Sequence, residues 1–299
     1  MKPDKPTLFT LAAILLWSTL ALAGVRSTNL PPFLLLGVAF CTNGALSLFW
    51  RGGWRVSLPV LLVGVGGIFG YHALYFRAFT LAPAIEVNLV NYLWPLLMVV
   101  LSPMILPQFR LGWNHILGAL LGLIGAALIA TGGTVDLQTQ FIPGYLAALA
   151  AAITWALYSL LTRRLPPFPT DTIAVFCAIS GVLALMIHFS SGNAWAATQA
   201  ISLQDWAIML LIGIGPMGAA FYFWDAALKS GDPRKIGALA YLTPLVSTLN
   251  LILFAGQVLT WVTGIAMTLI IIGAIIGSGL IKPDGDVDPS AKSSVRKGE

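Results

Sequence analysis

Charge is scarce in this sequence: Asp, Glu, Lys and Arg together make up 9% of its 299 residues. Soluble domains carry about a quarter, so a water-exposed globular surface is excluded. Cysteine is scarcer still. Cys41 and Cys177 both fall inside apolar runs, which excludes the disulfide framework of a small secreted domain. The three histidines, His72, His115 and His188, lie in separate runs, and none stands at helical spacing from an acid. No cluster of ligands or nucleophiles follows from them, so the sequence reads as neither an enzyme nor a metalloprotein. The segment Gly213 to Gly218, "GIGPMG", fits a dinucleotide pattern but sits within an apolar run without a preceding strand, and it is read as a flexible or tightly packed helix segment. No cofactor is expected.

What is present is apolar. Hydrophobic residues make up 58% of the chain, and the mean hydropathy is +0.88. Crossing the hydrocarbon takes about 20 mostly apolar residues per helix. Ten such windows are found: 8–25, 33–50, 58–80, 84–106, 113–131, 143–162, 171–190, 206–227, 235–255 and 260–281. The expectation is an all-α integral membrane protein of ten transmembrane helices. The polar remainder, 282–299, has no aromatic residue and reads as a disordered tail.

A net charge of +5 does not indicate a nucleic-acid partner, because ten spans sort the basic residues by side. Of 16, only Arg26 and Arg77 fall on one side, while Lys2, Lys5, Arg51, Arg55, Arg110, Arg163, Arg164, Lys229, Arg234, Lys235 and the tail lysines and arginine fall on the other. The positive-inside rule then puts both termini in the cytoplasm, with the chain a multi-pass protein of the inner cell membrane.

The two halves of the chain resemble each other in order. Trp17 falls on Trp155 and Arg26 on Arg164; further along, Ala78 falls on Ala227, Tyr92 on Tyr241, Pro95 on Pro244 and Gln108 on Gln257; then Trp113 falls on Trp261 and Gly125 on Gly273. The first repeat is 1–132 and the second 133–281. Lys2 and Lys5 before an apolar run ending Ala21-Leu22-Ala23 also suit a signal peptide. Trp17 takes part in the repeat, however, which assigns this run to the mature fold. Five helices per repeat reverse the second copy in the membrane. Such inverted-topology repeats are common among secondary transporters, whose substrate site lies near the midplane between the halves.

The duplicated "Ala-Leu/Phe" followed by "Tyr-Leu-x-Pro-Leu", at Ala78 to Leu96 and Ala227 to Leu245, and the early tryptophan of each half resemble the EamA-type drug/metabolite transporter superfamily. Within it, "GYHALYFRAFTLAPA" and "NYLWPLL" look most like the aromatic amino-acid exporters. The fourth and ninth spans of that family commonly end in glutamate, where this chain has Gln108 and Gln257. The resemblance implies export of amino acids by alternating access.

Candidate binding residues come from polar aromatic stripes. Tyr71 and Tyr75 share one stripe of the third span with His72 on its flank, and Arg77 lies beyond them. An interfacial belt explains Arg77, whereas polar groups at depth face a bundle interior or a wet cavity. In the fourth span Asn88, Asn91, Tyr92 and Pro95 recur at intervals of three and four, with Trp94 beside them. Each asparagine admits two readings, a hydrogen bond between helices at a proline kink or a ligand contact. The ninth span keeps Tyr241 and Pro244 but has Gly237 and Ala240 in place of the asparagines, so the cavity is expected to be polar on one side only. Trp155, Tyr158 and Trp224 complete the candidate lining, and Pro95 and Pro244 are candidate kinks or gating points. Rings, amides and an imidazole suit an amino acid that is neutral overall. The same lining suits a lipophilic cation or another small metabolite held over ring faces. Glu86 and Asp225 are the acids nearest membrane depth, and neither reads as a proton carrier. The small-residue motifs "GALLG" (Gly118 to Gly122) and "GAIIG" (Gly273 to Gly277) predict close helix contact in the fifth and tenth spans. No nucleic acid is expected; lipid and a small-molecule substrate are, with a single chain sufficient for function.

Overall fold

The computed structural model describes residues 4–26, 30–49 and 51–279. The tail 282–299, expected to be disordered, lies outside the described residues. Among these residues there are helices and turns and no strand. Eight helices are long and apolar enough to cross a membrane: α1 (Lys5–Ala23), α3 (Leu58–Phe79), α4 (Ala84–Ile105), α5 (Trp113–Thr131), α6 (Thr139–Leu161), α7 (Thr172–Phe189), α8 (Leu203–Ser230) and α9 (Pro233–Ala255). Two shorter apolar helices, α2 (Pro32–Leu48) and α10 (Trp261–Gly277), complete the set. Every apolar window read from the sequence is helical, with edges moved by a few residues, and the protein is an all-α integral membrane protein that crosses the bilayer several times. Glu86 lies in the first turn of α4.

Several helices are broken at points the chain's chemistry explains. In α1, Ser18 and Thr19 turn their hydroxyls back onto the Leu15 and Leu16 carbonyls, 2.7 Å away in each case, and regular helix stops at Thr19. Such back-bonding competes with the helical ladder. In α4 and α9 the breaks fall at Tyr92 and Tyr241, three residues before Pro95 and Pro244. Proline has no N–H to donate and its ring crowds the carbonyl one turn back. In α3 and α8 a π-helical turn interrupts the α-helix, at Gly66–Gly70 and Gly215–Ala219. The "GIGPMG" segment supplies the second of these.

Glycine sets the tightest contacts. A methyl group at Gly118 of α5 would lie 2.4 Å from the Gly277 Cα of α10, so the two small-residue motifs pack on each other as intramolecular neighbours. A methyl at Gly67 would lie 2.3 Å from the Tyr158 ring, which brings the π turn of α3 onto α6. Elsewhere α2 packs on α7; α1 packs on α8 and α9, and α6 packs on α3 and α4.

Candidate functional site

The broken helices surround one cavity of about 670 Å³, lined by residues of α1, α2, α3, α4, α5, α6, α8 and α9. Its lining runs from Ala23, Phe79, Ala84, Ala130 and Leu251, at one end of the bundle, to Trp17, Trp94, Trp155, Met217 and Phe221 at mid-bundle. Tryptophans form the inner end. The rings of Trp17 and Trp155 stand 5.9 Å apart, those of Trp17 and Trp94 6.5 Å, and those of Trp94 and Trp155 6.4 Å, all edge to face. This geometry lets the positive edge of one ring meet the negative face of the next.

One wall belongs to α3 and α4. Beyond the π turn, Tyr71 and Tyr75 stack with centroids 5.6 Å apart, and Tyr71 also meets Trp155 at 5.0 Å. Tyr75 donates its hydroxyl to Asn88 Oδ1, and Asn91 Nδ2 donates to the Tyr71 hydroxyl at 3.1 Å. Each tyrosine of α3 is thus tied to an asparagine of α4. The bonding is incomplete: Asn91 Oδ1 is buried and has no hydrogen-bond partner. His72 places Nδ1 2.7 Å from the Ile68 carbonyl. A carbonyl only accepts, so Nδ1 carries the proton and Nε2 is left as an acceptor.

A second wall belongs to α9. Thr243, Pro244, Ser247 and Thr248 line it, and Thr243 Oγ1 is a second buried atom without a hydrogen-bond partner. The expectation of a cavity polar on one side only is therefore corrected. The hydroxyl groups flank Pro244, Thr243 before it and Ser247 and Thr248 after it, and do not occupy the positions matching the asparagines. They escaped sequence reasoning because threonine and serine in apolar helices ordinarily bond their own backbone, as Thr248 does with the Pro244 carbonyl at 2.8 Å. Trp17 also lines the cavity, alongside the Trp155 it matches in the repeat.

Of the candidate residues, Tyr71, His72, Tyr75, Asn88, Asn91, Tyr92, Trp94, Pro95, Trp155 and Pro244 line this cavity. Tyr158, Trp224 and Tyr241 do not, and each has a packing reason. Tyr158 is pressed against Gly67. Trp224 lies behind Trp17, 5.0 Å away, and donates Nε1–H to Ser159 Oγ at 3.1 Å. Tyr241 is fully buried; its hydroxyl donates to the Tyr92 carbonyl at 3.0 Å and accepts from the Leu96 amide at 3.2 Å. It braces the kink of α4 from outside the cavity. Asp225 is also remote from the lining: Lys229 pairs with it at 2.6 Å and Thr170 donates to it at 2.7 Å.

Comparison with known proteins agrees with this architecture. The chain is 39% identical over 292 residues, 94% of this chain and 100% of the relative, to an "Aromatic amino acid exporter YddG" of Ancylobacter novellus. It is 26% identical to the protein of the same name from Escherichia coli, over 83% of this chain and 88% of that one. A solved crystal structure with 39% sequence identity superposes with a TM-score of 0.82, covering 93% of this chain and 98% of that chain. The EamA-like transporter family matches twice, at residues 5–131 and 142–278, and with those two matches spanning nearly all the described helices, the chain belongs to that family of transporters.

Proposed function

We propose that the protein exports amino acids, aromatic and other neutral ones, from the cytoplasm across the inner membrane by alternating access. The observation that carries this reading is the cavity itself: packed rings on an apolar inner end, with unpartnered polar atoms on residues of both α4 and α9. Asn91 Oδ1 and His72 Nε2 are acceptors suited to an ammonium. The Thr243 hydroxyl and the Tyr71 hydroxyl, whose oxygen already accepts from Asn91, can donate to a carboxylate. Trp94, Trp155, Tyr75 and Tyr92 offer ring faces to the side chain. A zwitterion fits such a site without a buried countercharge. Two relatives named as aromatic amino-acid exporters support the substrate class and the direction.

Two related halves of opposite orientation are a common basis for alternating access. The double family match supports a first repeat over 1–132 and a second over 133–281. So do the two π turns and the two tyrosine breaks, which fall at matching places in α3 and α8 and in α4 and α9. The packing of α1 on α8 and α9 mirrors that of α6 on α3 and α4. Taken with ten transmembrane helices and cytoplasmic termini, the cavity opens on the outer side. We take a single chain to be sufficient for function.

The test is uptake of labelled phenylalanine, threonine and a quaternary ammonium dye by liposomes containing the purified protein. Amino-acid flux above empty liposomes is expected, reduced by Tyr75→Ala and Trp94→Ala at normal expression. Flux of the dye alone would reassign the cavity to lipophilic cations, and flux of none of the three ends the transport reading.

A further inference from the structure

The lining of this cavity reaches inward about as far as the tryptophans, and buried apolar side chains pack the bundle beyond them. Met98, Leu228 and Ile236 are buried in the core beyond Trp94. At that end of the bundle, past the last turn of α4, lies Phe109. The guanidinium of Arg163, two residues after α6, stands over its ring at 5.1 Å, and that of Arg234, in the first turn of α9, stands over it at 5.4 Å. Arg163 Nη1 also donates to the Gly231 carbonyl between α8 and α9, and Arg234 Nη1 donates to the Arg110 carbonyl beside Phe109. Asp232 holds Arg234 through Nη2 at 2.6 Å and Nε at 3.0 Å.

Three features distinguish this cluster from ordinary packing. It joins the α4–α5 turn to the ends of α6 and α9, so it bridges elements from both halves of the sequence. By contrast, the Lys229–Asp225 pair with Thr170 and Phe168, at the same end, joins only elements of the second half. Its two cations repel each other and are held together by a ring face, backbone carbonyls and, for Arg234, the Asp232 carboxylate. Finally, its partners are only partly buried, so water can take over every guanidinium contact once the groups part, without stranding a buried charge.

We propose that Phe109, held by Arg163 and Arg234, is the gate of the closed end, the contact whose rupture opens the central cavity to that side. This rests on the alternating-access reading above. The ring closes the path, and the two arginines hold the ring.

The experiment places a reporter thiol beneath the gate, as Met98→Cys, in a background where Cys41 and Cys177 are alanine. Proteoliposomes are exposed to a membrane-impermeant maleimide, and amino-acid flux is measured in parallel. The parent should label slowly because Met98 is buried. Arg163→Ala/Arg234→Ala should label roughly tenfold faster, as expected for the loss of two cation–π contacts of ordinary strength. Phe109→Leu retains both charges and an apolar plug, and should show the same change to a smaller extent; it decides the question alone if the double variant does not fold. Unchanged labelling in folded variants overturns the gate. A parent without flux whose variants still label faster upholds the gate while removing the transport reading.

Discussion

The Tyr241 hydroxyl lies between the Tyr92 carbonyl and the Leu96 amide, occupying the place of the helical hydrogen bond those two groups would otherwise share. A side chain of α9 is thereby inserted into the ladder of α4, one of the recognised causes of a helix kink. Pro95 removes the neighbouring bond, so the two effects fall on the same turn. The kink turns Trp94 and Pro95 toward the cavity, and a residue outside the lining thus fixes its shape.

Tyr241→Phe should cost about 1–3 kcal/mol of stability, the range for a buried polar group stripped of its partner. Thermal unfolding in detergent measures this. Flux should fall beyond what the loss of folded protein explains, because α4 is free to straighten.

Asn91→Leu keeps the branched shape and the number of side-chain heavy atoms, removes the unpartnered Oδ1 from the cavity and also frees the Tyr71 hydroxyl from Nδ2. The KM for amino acids should rise about tenfold, as for one lost charge-assisted hydrogen bond, while the maximal rate changes little. Equal KM values in concentration-dependent flux would move the ammonium away from Asn91.

Gly118→Leu should lower stability by about 3 kcal/mol, because any side chain here meets the α10 backbone, which cannot rotate aside. Gly264→Ala on the same helix pair supplies the control. No atom lies within 4 Å of its added methyl, and its effect should stay within about 1 kcal/mol.

Asp232 lies outside the membrane-spanning helices. Burial pushes its carboxyl upward, but hydrogen bonds and charge from Arg234 outweigh this and hold it below its ordinary value of 3.8. Its contribution to stability is therefore complete above that value and is lost as pH falls through the lower folded one. Asp232→Asn should lower the unfolding temperature throughout the neutral range. Melting curves of the two proteins should converge only once pH has fallen well below the ordinary carboxylate value of 3.8.

Hydropathy made the ten apolar windows legible, because lipid tolerates few charges and each loop interrupts a run. The α3–α4 wall was legible for a related reason: tyrosine, histidine and asparagine are costly at depth, so their presence there asks for a cavity. Thr243 and Ser247 carried no such signal, since a hydroxyl on an apolar helix is cheap and common. Tyr241 misled through symmetry. It matches Tyr92 in the repeat, yet Tyr92 faces the cavity while Tyr241 spends its hydroxyl on the α4 backbone. The break at Thr19 was not legible either, because nothing in the sequence says whether neighbouring hydroxyls will bend a helix or leave it straight.

The π turn at Gly66–Gly70 has a geometric consequence for all that follows it in α3. Such a turn accommodates one residue more than an α-helix would, and each α-helical residue advances the chain by about 100°. The azimuth of Tyr71, His72 and Tyr75 is thus set upstream by five residues, GGIFG, none of which lines the cavity. Removing one of them would leave the composition of the binding stripe intact and swing it by more than a quarter turn, away from α4 and toward lipid or a neighbouring helix. In this helix, specificity is stored as phase as much as in the identity of the side chains.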